Sequence, residues 1–240
     1  MTDLLDLALL AHGGPDRWQR ATTIQARAAV GGLALARRGQ AGIFADIDVT
    51  LDVHRQHAVF RNFTGPGLVG IYTPGRVAIE DADGTVLQEL RRPRDAFTDL
   101  DRTSAWNELH ALYFGGYALW NYLTAPYLLT LPGIETEEGQ PWDEAGERWR
   151  RLHVTFPADI ATHSSEQTFY FDESGLQRRH DYRVEIGKAP AVTAHYTEAH
   201  RTVSGLVFAT HRYAVPTAED NTSLPGPIFI SIDIADITVS

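Results

Sequence analysis

The chain has 240 residues, 43% of them hydrophobic and 22% charged, enough apolar material for a folded domain with a real core. Its formal charge of −10 lacks the basic balance that nucleic-acid binders show and argues against electrostatic docking on anionic lipid. With no cysteine, disulfides and thiolate metal sites are excluded.

The opening run, Met1 to Gly14, carries Asp3 and Asp6 where a signal peptide would carry Lys or Arg. It reads as a mature helix capped by Thr2 and stopped at Gly13-Gly14, which leads to the expectation of a cytoplasmic protein. Strict alternation follows. Ile43, Ala45, Ile47, Val49, Leu51 and Val53 form one side of a strand-like run. Shorter strand signals occur at 24–30, 57–63, 77–80, 86–90 and 148–156, with a tight turn at Asp83-Gly84.

The middle of the chain breaks the pattern. Ser104 is a possible cap for a helix over about 104–122, with Trp106, Leu109, Tyr113, Phe114, Tyr117 and Trp120 recurring at spacings of three and four. Leu112, Leu119 and Tyr122 make it apolar nearly all round, so it must be enclosed, and the concave side of a sheet is the natural enclosure. The longer segment 106–131 is too polar and too broken for a membrane span. Gly115-Gly116 implies a close backbone approach or a kink. Glu135, Glu137 and Glu138 read as a solvated acidic loop.

From about Ser164 to Val215 the sequence forms a four-strand meander, with turns at 172–175, 187–190 and 203–205 and a last alternating run from Ile228 to Ile234. If paired residue numbers sum to 348, 377 and 408 across the three turns, one row on the inner face is Thr168, His180, Thr197 and His211. The next is Glu166, Tyr182, His195 and Tyr213. Val184, Ile186 and Val215 share that face; Arg179, Asp181, Arg183 and Arg212 fall on the other. In this register His195 reaches His180 and His211, with Tyr182 and Tyr213 beside it, a set capable of acid–base chemistry. Three histidines can also bind zinc or iron, but a one-residue slip would scatter them, and no metal or cofactor is expected. The bland reading of the cluster is a set of groups satisfying one another inside a cavity.

The run Leu10-Ala-His-Gly-Gly-Pro-Asp-Arg-Trp18, followed by the strand from Thr23, resembles the opening of outer-membrane lipoprotein carriers of the LolA/LolB type and their lipoprotein-sorting-like relatives. The segments Gly146–Pro157 and Tyr170–Leu176 are similar in style. The resemblance implies an unclosed β half-barrel whose helices lid an apolar cavity that takes acyl chains; no functional residue is carried over from it.

The sequence thus points to one mainly β domain spanning 1–240: a strongly curved antiparallel sheet of about ten strands, an N-terminal helix and one apolar helix in the hollow. Two functions are open. One is binding of a small apolar or amphipathic molecule, with Glu166, Trp106, His110, Tyr113, Tyr117 and Trp120 as ligand-binding candidates. The other is a cofactor-independent enzyme using His195, His180, His211, Tyr182 and Tyr213. His110 is equally readable as a satisfied core histidine.

Overall fold

Alternating burial builds the molecule. In the computed structural model, which describes residues 3–101, 103–188 and 192–240, the strands over 23–31, 47–52, 58–61 and 69–73 bury every second side chain. The strands are β1 (Thr23–Gly31), β2 (Ile47–Asp52), β3 (Ala58–Arg61), β4 (Val69–Thr73), β5 (Arg76–Glu80), β6 (Val86–Arg91), β7 (Glu135–Glu138), β8 (Trp142–Glu144), β9 (Glu147–Thr155), β10 (Glu166–Phe171), β11 (Gln177–Arg183), β12 (Val192–Val203), β13 (Leu206–Pro216) and β14 (Ile230–Val239). They join into one antiparallel sheet in the order β6-β5-β4-β3-β2-β1-β14-β13-β12-β11-β10-β9-β7, with β8 paired to β9. β6 and β7 remain as free ends, so the sheet is an open half-barrel with more strands than the sequence suggested.

The helices are α1 (Leu4–Ala11), α2 (Pro15–Gln19), α3 (Leu33–Arg37) and α4 (Glu108–Thr124). Asp3 caps α1 through its side chain; the cap expected at Thr2 lies outside the described residues. Chain exit from α1 comes at His12, just before the glycine pair.

α4 fills the hollow, and fourteen of its seventeen residues are buried. It starts later than the sequence suggested, because Asn107 and not Ser104 caps it. Asn107 Oδ1 accepts from the His110 amide at 2.9 Å, and His110 Nδ1 accepts from the Asn107 amide at 3.2 Å. Ser104 is held instead in a turn around Asp101. Gly115 and Gly116 mark a close approach: a Cβ would lie 2.5 Å from the Phe44 ring at the first and 2.3 Å from the Tyr72 ring at the second. Two aromatic rings, Tyr72 from the sheet and Phe44 from outside it, therefore press on the bare helix backbone. Phe44 does this from a turn that the alternating reading had assigned to strand with Phe44 on the polar side. The acidic segment at 135–138 is edge strand β7, not a loop. No described helix is long and apolar enough to cross a membrane.

Candidate functional site

Register decides what faces the hollow. On β10 and β11, Phe171 pairs with Gln177 beside the turn, matching the loop-based sum; a bulge then shifts the ladder so that Phe169 meets His180 and Gln167 meets Tyr182. Between β11 and β12, His180 sits directly opposite His195 and Tyr182 opposite Thr193. Between β12 and β13 the turn is only Ser204-Gly205, both at positive φ, so Val203 pairs with Leu206 and His195 with Ala214.

The inner face consequently has three rungs. The first is Gln167, Tyr182, Thr193 and Pro216; the second is Phe169, His180, His195, Ala214 and Ile230; the third holds Thr197, Arg212 and Ile232. Two one-residue slips, with a two-residue shift between β11 and β12, correct the expected rows. His211 and Tyr213 stand on the outer face, where His211 Nδ1 bonds Asp233 at 2.7 Å and Tyr213 stacks on Tyr196 at 5.1 Å. Val215 packs there too. Arg212, assigned outward from sequence, lies inside and is 4% exposed. Glu166 is exposed and lines an outer-surface depression with Arg151, His153 and Arg183.

Under the last turns of α4 these rungs meet a buried polar chain. Tyr117 Oη lies 3.0 Å from His163 Nδ1, and Tyr122 Oη lies 2.6 Å from His163 Nε2. Tyr122 and Tyr182 hydroxyls are 3.0 Å apart, and Tyr182 Oη is 3.2 Å from His195 Nδ1. The rings of His163 and Tyr182 stack at 4.0 Å, as do those of Phe169 and His180. His180 Nε2 donates to the Gln167 side-chain oxygen. Burial holds all three imidazoles neutral: it pushes His163 down to about 3, with the Arg94 cation adding to it, and His180 and His195 well below the ordinary 6.5. The same burial drives the Tyr122 and Tyr182 hydroxyls above their usual range, so the phenols are hydrogen-bond groups near neutral pH and not bases.

Two members of this assembly are incompletely satisfied. His195 Nε2 is buried without a partner. Arg212 gives one hydrogen bond, from Nη2 to the Tyr122 carbonyl at 2.8 Å in the last turn of α4, and its guanidinium lies 5.4 Å from the Tyr122 ring. Its Nε and Nη1 have no partner. Burial lowers its pKa to about 10, still cationic at neutral pH.

Beside the network runs an apolar cleft of about 160 Å³, bounded by Leu35 of α3, by Trp106 and Phe114, and by Ile186, Ala214 and Ile230. Tyr182 and Thr193 form its polar wall, and Arg37 and Arg38 stand at its rim. A smaller crevice of about 20 Å³ shares Leu35, Phe114 and Ile230 and extends to Tyr122. Of the expected chemical residues, His180, His195 and Tyr182 come together and only Tyr182 lines the cleft. Of the expected ligand-binding residues, Trp106 lines it and Tyr117 joins the network. Tyr113 faces a depression beside Arg94, Trp120 is anchored to the Asp52 carbonyl at 2.7 Å, and His110 closes the helix cap. Sequence reasoning missed His163, Gln167, Tyr122 and Arg212 as site members. His163 comes from a loop with no periodicity to place it, and Arg212 was hidden by the register slip. Among the described residues no group of three or more His, Asp or Glu converges as metal ligands do.

No protein-family model matches the sequence, and no curated protein does. Solved structures do. A DUF1329 family protein from Desulfovibrio piger is similar over 99% of this chain and 92% of its own, with a TM-score of 0.56 and 12% identity. A LolA superfamily protein from Nitrosomonas europaea matches over 98% and 92%, at 0.54 and 8%. A domain from Vibrio parahaemolyticus named for outer-membrane lipoprotein sorting matches over 98% and 92%, at 0.53 and 9%. The fold is LolA-like. At such identities the likeness is one of fold, and this half-barrel differs from a simple acyl-chain container in the polar chain beneath its central helix.

Proposed function

We propose that the protein binds a small apolar or amphipathic molecule in the cleft between α3, α4 and the inner face of β11–β14. The observation that carries this reading is the cleft itself, an apolar slot of about 160 Å³ closed at one side by a single phenol, Tyr182. That volume suits a ring or a chain of about six to eight carbons, since an apolar cavity near 150 Å³ takes up benzene with room to spare. The similar solved structures, one of them named for lipoprotein sorting, support the same class of cargo by fold. Against a reaction in this cleft stands the placement of the histidines: they lie behind Tyr182, buried and neutral, and two of the five residues expected to do chemistry are on the opposite face.

The test is titration with 1-octanol, a neutral amphipath, followed by methyl NMR. Saturable shifts of the Ile186 and Ile230 methyls are expected, and Ala34→Trp, which fills the cleft from α3, should abolish them. Shifts that do not saturate, or that persist unchanged in Ala34→Trp, would sink the reading.

A further inference from the structure

We propose that His195 and Arg212 form a receptor for one carboxylate at the inner end of the cleft, so that the occupant is an amphipathic monocarboxylate with its head inward. This rests on the cleft being the ligand site and adds the charge and orientation of the ligand.

The geometry is that of the rungs. The cleft stops at Tyr182 and Thr193 on the first rung and at Ala214 and Ile230 on the second. His195 is the direct neighbour of Ala214 on that second rung, and Arg212 is two residues along β13 on the same face, about 7 Å away. Ala214, the smallest side chain on its rung, is a cleft-lining residue next to both. Tyr122 ties them together, its ring 4.5 Å from that of His195 and 5.4 Å from the Arg212 guanidinium.

The proton inventory gives the polarity. Tyr122 donates to Tyr182, so its oxygen accepts from His163 Nε2, and Tyr117 donates to His163 Nδ1. Tyr182 is then able to donate to His195 Nδ1, which leaves His195 Nε2 carrying its hydrogen. Three donor nitrogens, His195 Nε2 and Arg212 Nε and Nη1, are therefore buried and unpartnered. Each such donor is costly to leave buried, more so on a cation, until an acceptor arrives. Among the described residues no carboxylate pairs with Arg212. A guanidinium edge accepts a carboxylate through two parallel hydrogen bonds. The neighbouring histidines are neutral, so the site offers one positive charge. One carboxylate matches it, whereas a phosphate monoester brings about −1.5 to −2. The opposite orientation, with the head at the rim beside Arg37, would leave the inner donors as they are.

The experiment compares [1-¹³C]octanoate with 1-octanol on the native protein. Octanoate should bind about tenfold tighter or more near neutral pH, the value of one charge-assisted hydrogen-bonded contact. Its bound ¹³C resonance should be shielded from a soluble paramagnetic agent. Arg212→Gln keeps a donor for the Tyr122 carbonyl but removes the charge, and should bring the octanoate-to-octanol affinity ratio to about one. Octanol binding as tightly as octanoate overturns the receptor while the cleft reading stands. So does a carboxylate resonance broadened by the agent, which would put the head at the rim. Binding of neither overturns both. If Arg212→Gln does not fold, the two measurements on the native protein decide.

Discussion

Two arginines are buried on opposite faces of the same meander, and they are held in opposite ways. On the outer face, fully buried Arg179 is saturated. Its Nε and Nη2 reach Asp181 at 2.6 and 3.0 Å, Nη1 reaches Glu144 at 2.7 Å, and Nη2 also meets the Asn221 carbonyl at 2.7 Å. Its guanidinium lies 5.0 Å from the Tyr170 ring and 5.5 Å from that of Trp142. On the inner face, Arg212 has one carbonyl and one ring. The outer cluster is a rivet: it ties β8 and the loop around Asn221 to the sheet, and every nitrogen of the guanidinium is bonded. The inner cluster keeps donors in reserve next to a cleft. Burial alone therefore does not mark a site; unspent hydrogen-bonding capacity beside a cavity does.

The largest effect that separates the two faces is acid. His12, His163, His180, His195 and His200 are all held below the ordinary 6.5 by burial, His12 and His200 to about 4 and His163 to about 3. Below 6.5 the unfolded chain takes up protons that the folded chain refuses. Stability is thus fully present above that value and lost as pH falls toward 3–4, by up to about 1.4 kcal/mol per histidine per pH unit. Denaturant midpoints measured from pH 8 to pH 5 should fall steeply below about 6.5, and His163→Phe should flatten the slope. A flat profile would mean that the inner histidines are hydrated.

Arginine replacement is next in size and differs between the faces. Arg179→Met strands Asp181 and Glu144 and should cost about 3–5 kcal/mol in urea unfolding. Arg212→Met removes two unsatisfied donors while orphaning one carbonyl, so stability should stay within about 1 kcal/mol of the native value. Equal losses at both positions would erase the contrast. The smallest difference is between two tyrosines. Tyr182→Phe leaves Tyr122 and His195 short of a partner and should cost about 1–3 kcal/mol. Tyr213→Phe, on the half-exposed outer face, should stay within about 0.5 kcal/mol. Thermal melts of the pair check it.

Local chemistry, written in the sequence, determined a good deal. Alternation of period two identified most strands and the buried side of β2 and β14, since a pleated strand sends successive side chains to opposite faces. An all-round apolar segment had to be enclosed, and α4 is. Gly175 and the Asp83-Gly84 pair announced their turns through conformations that glycine alone adopts freely. Tertiary structure decided the rest, because parity in a sheet is a global property carried by single residues. A turn of two residues at Ser204-Gly205 sent His211 and Tyr213 outward and drew Arg212 in, and one extra residue at the β10–β11 bulge sent Thr168 outward and drew Gln167 in. A bulge has no composition to read, and a turn beside Gly205 accommodates two loop lengths. His163 was beyond reach for a different reason: a loop has no period, and only the packing of α4 against β11 and β12 brings its imidazole between Tyr117, Tyr122 and Tyr182.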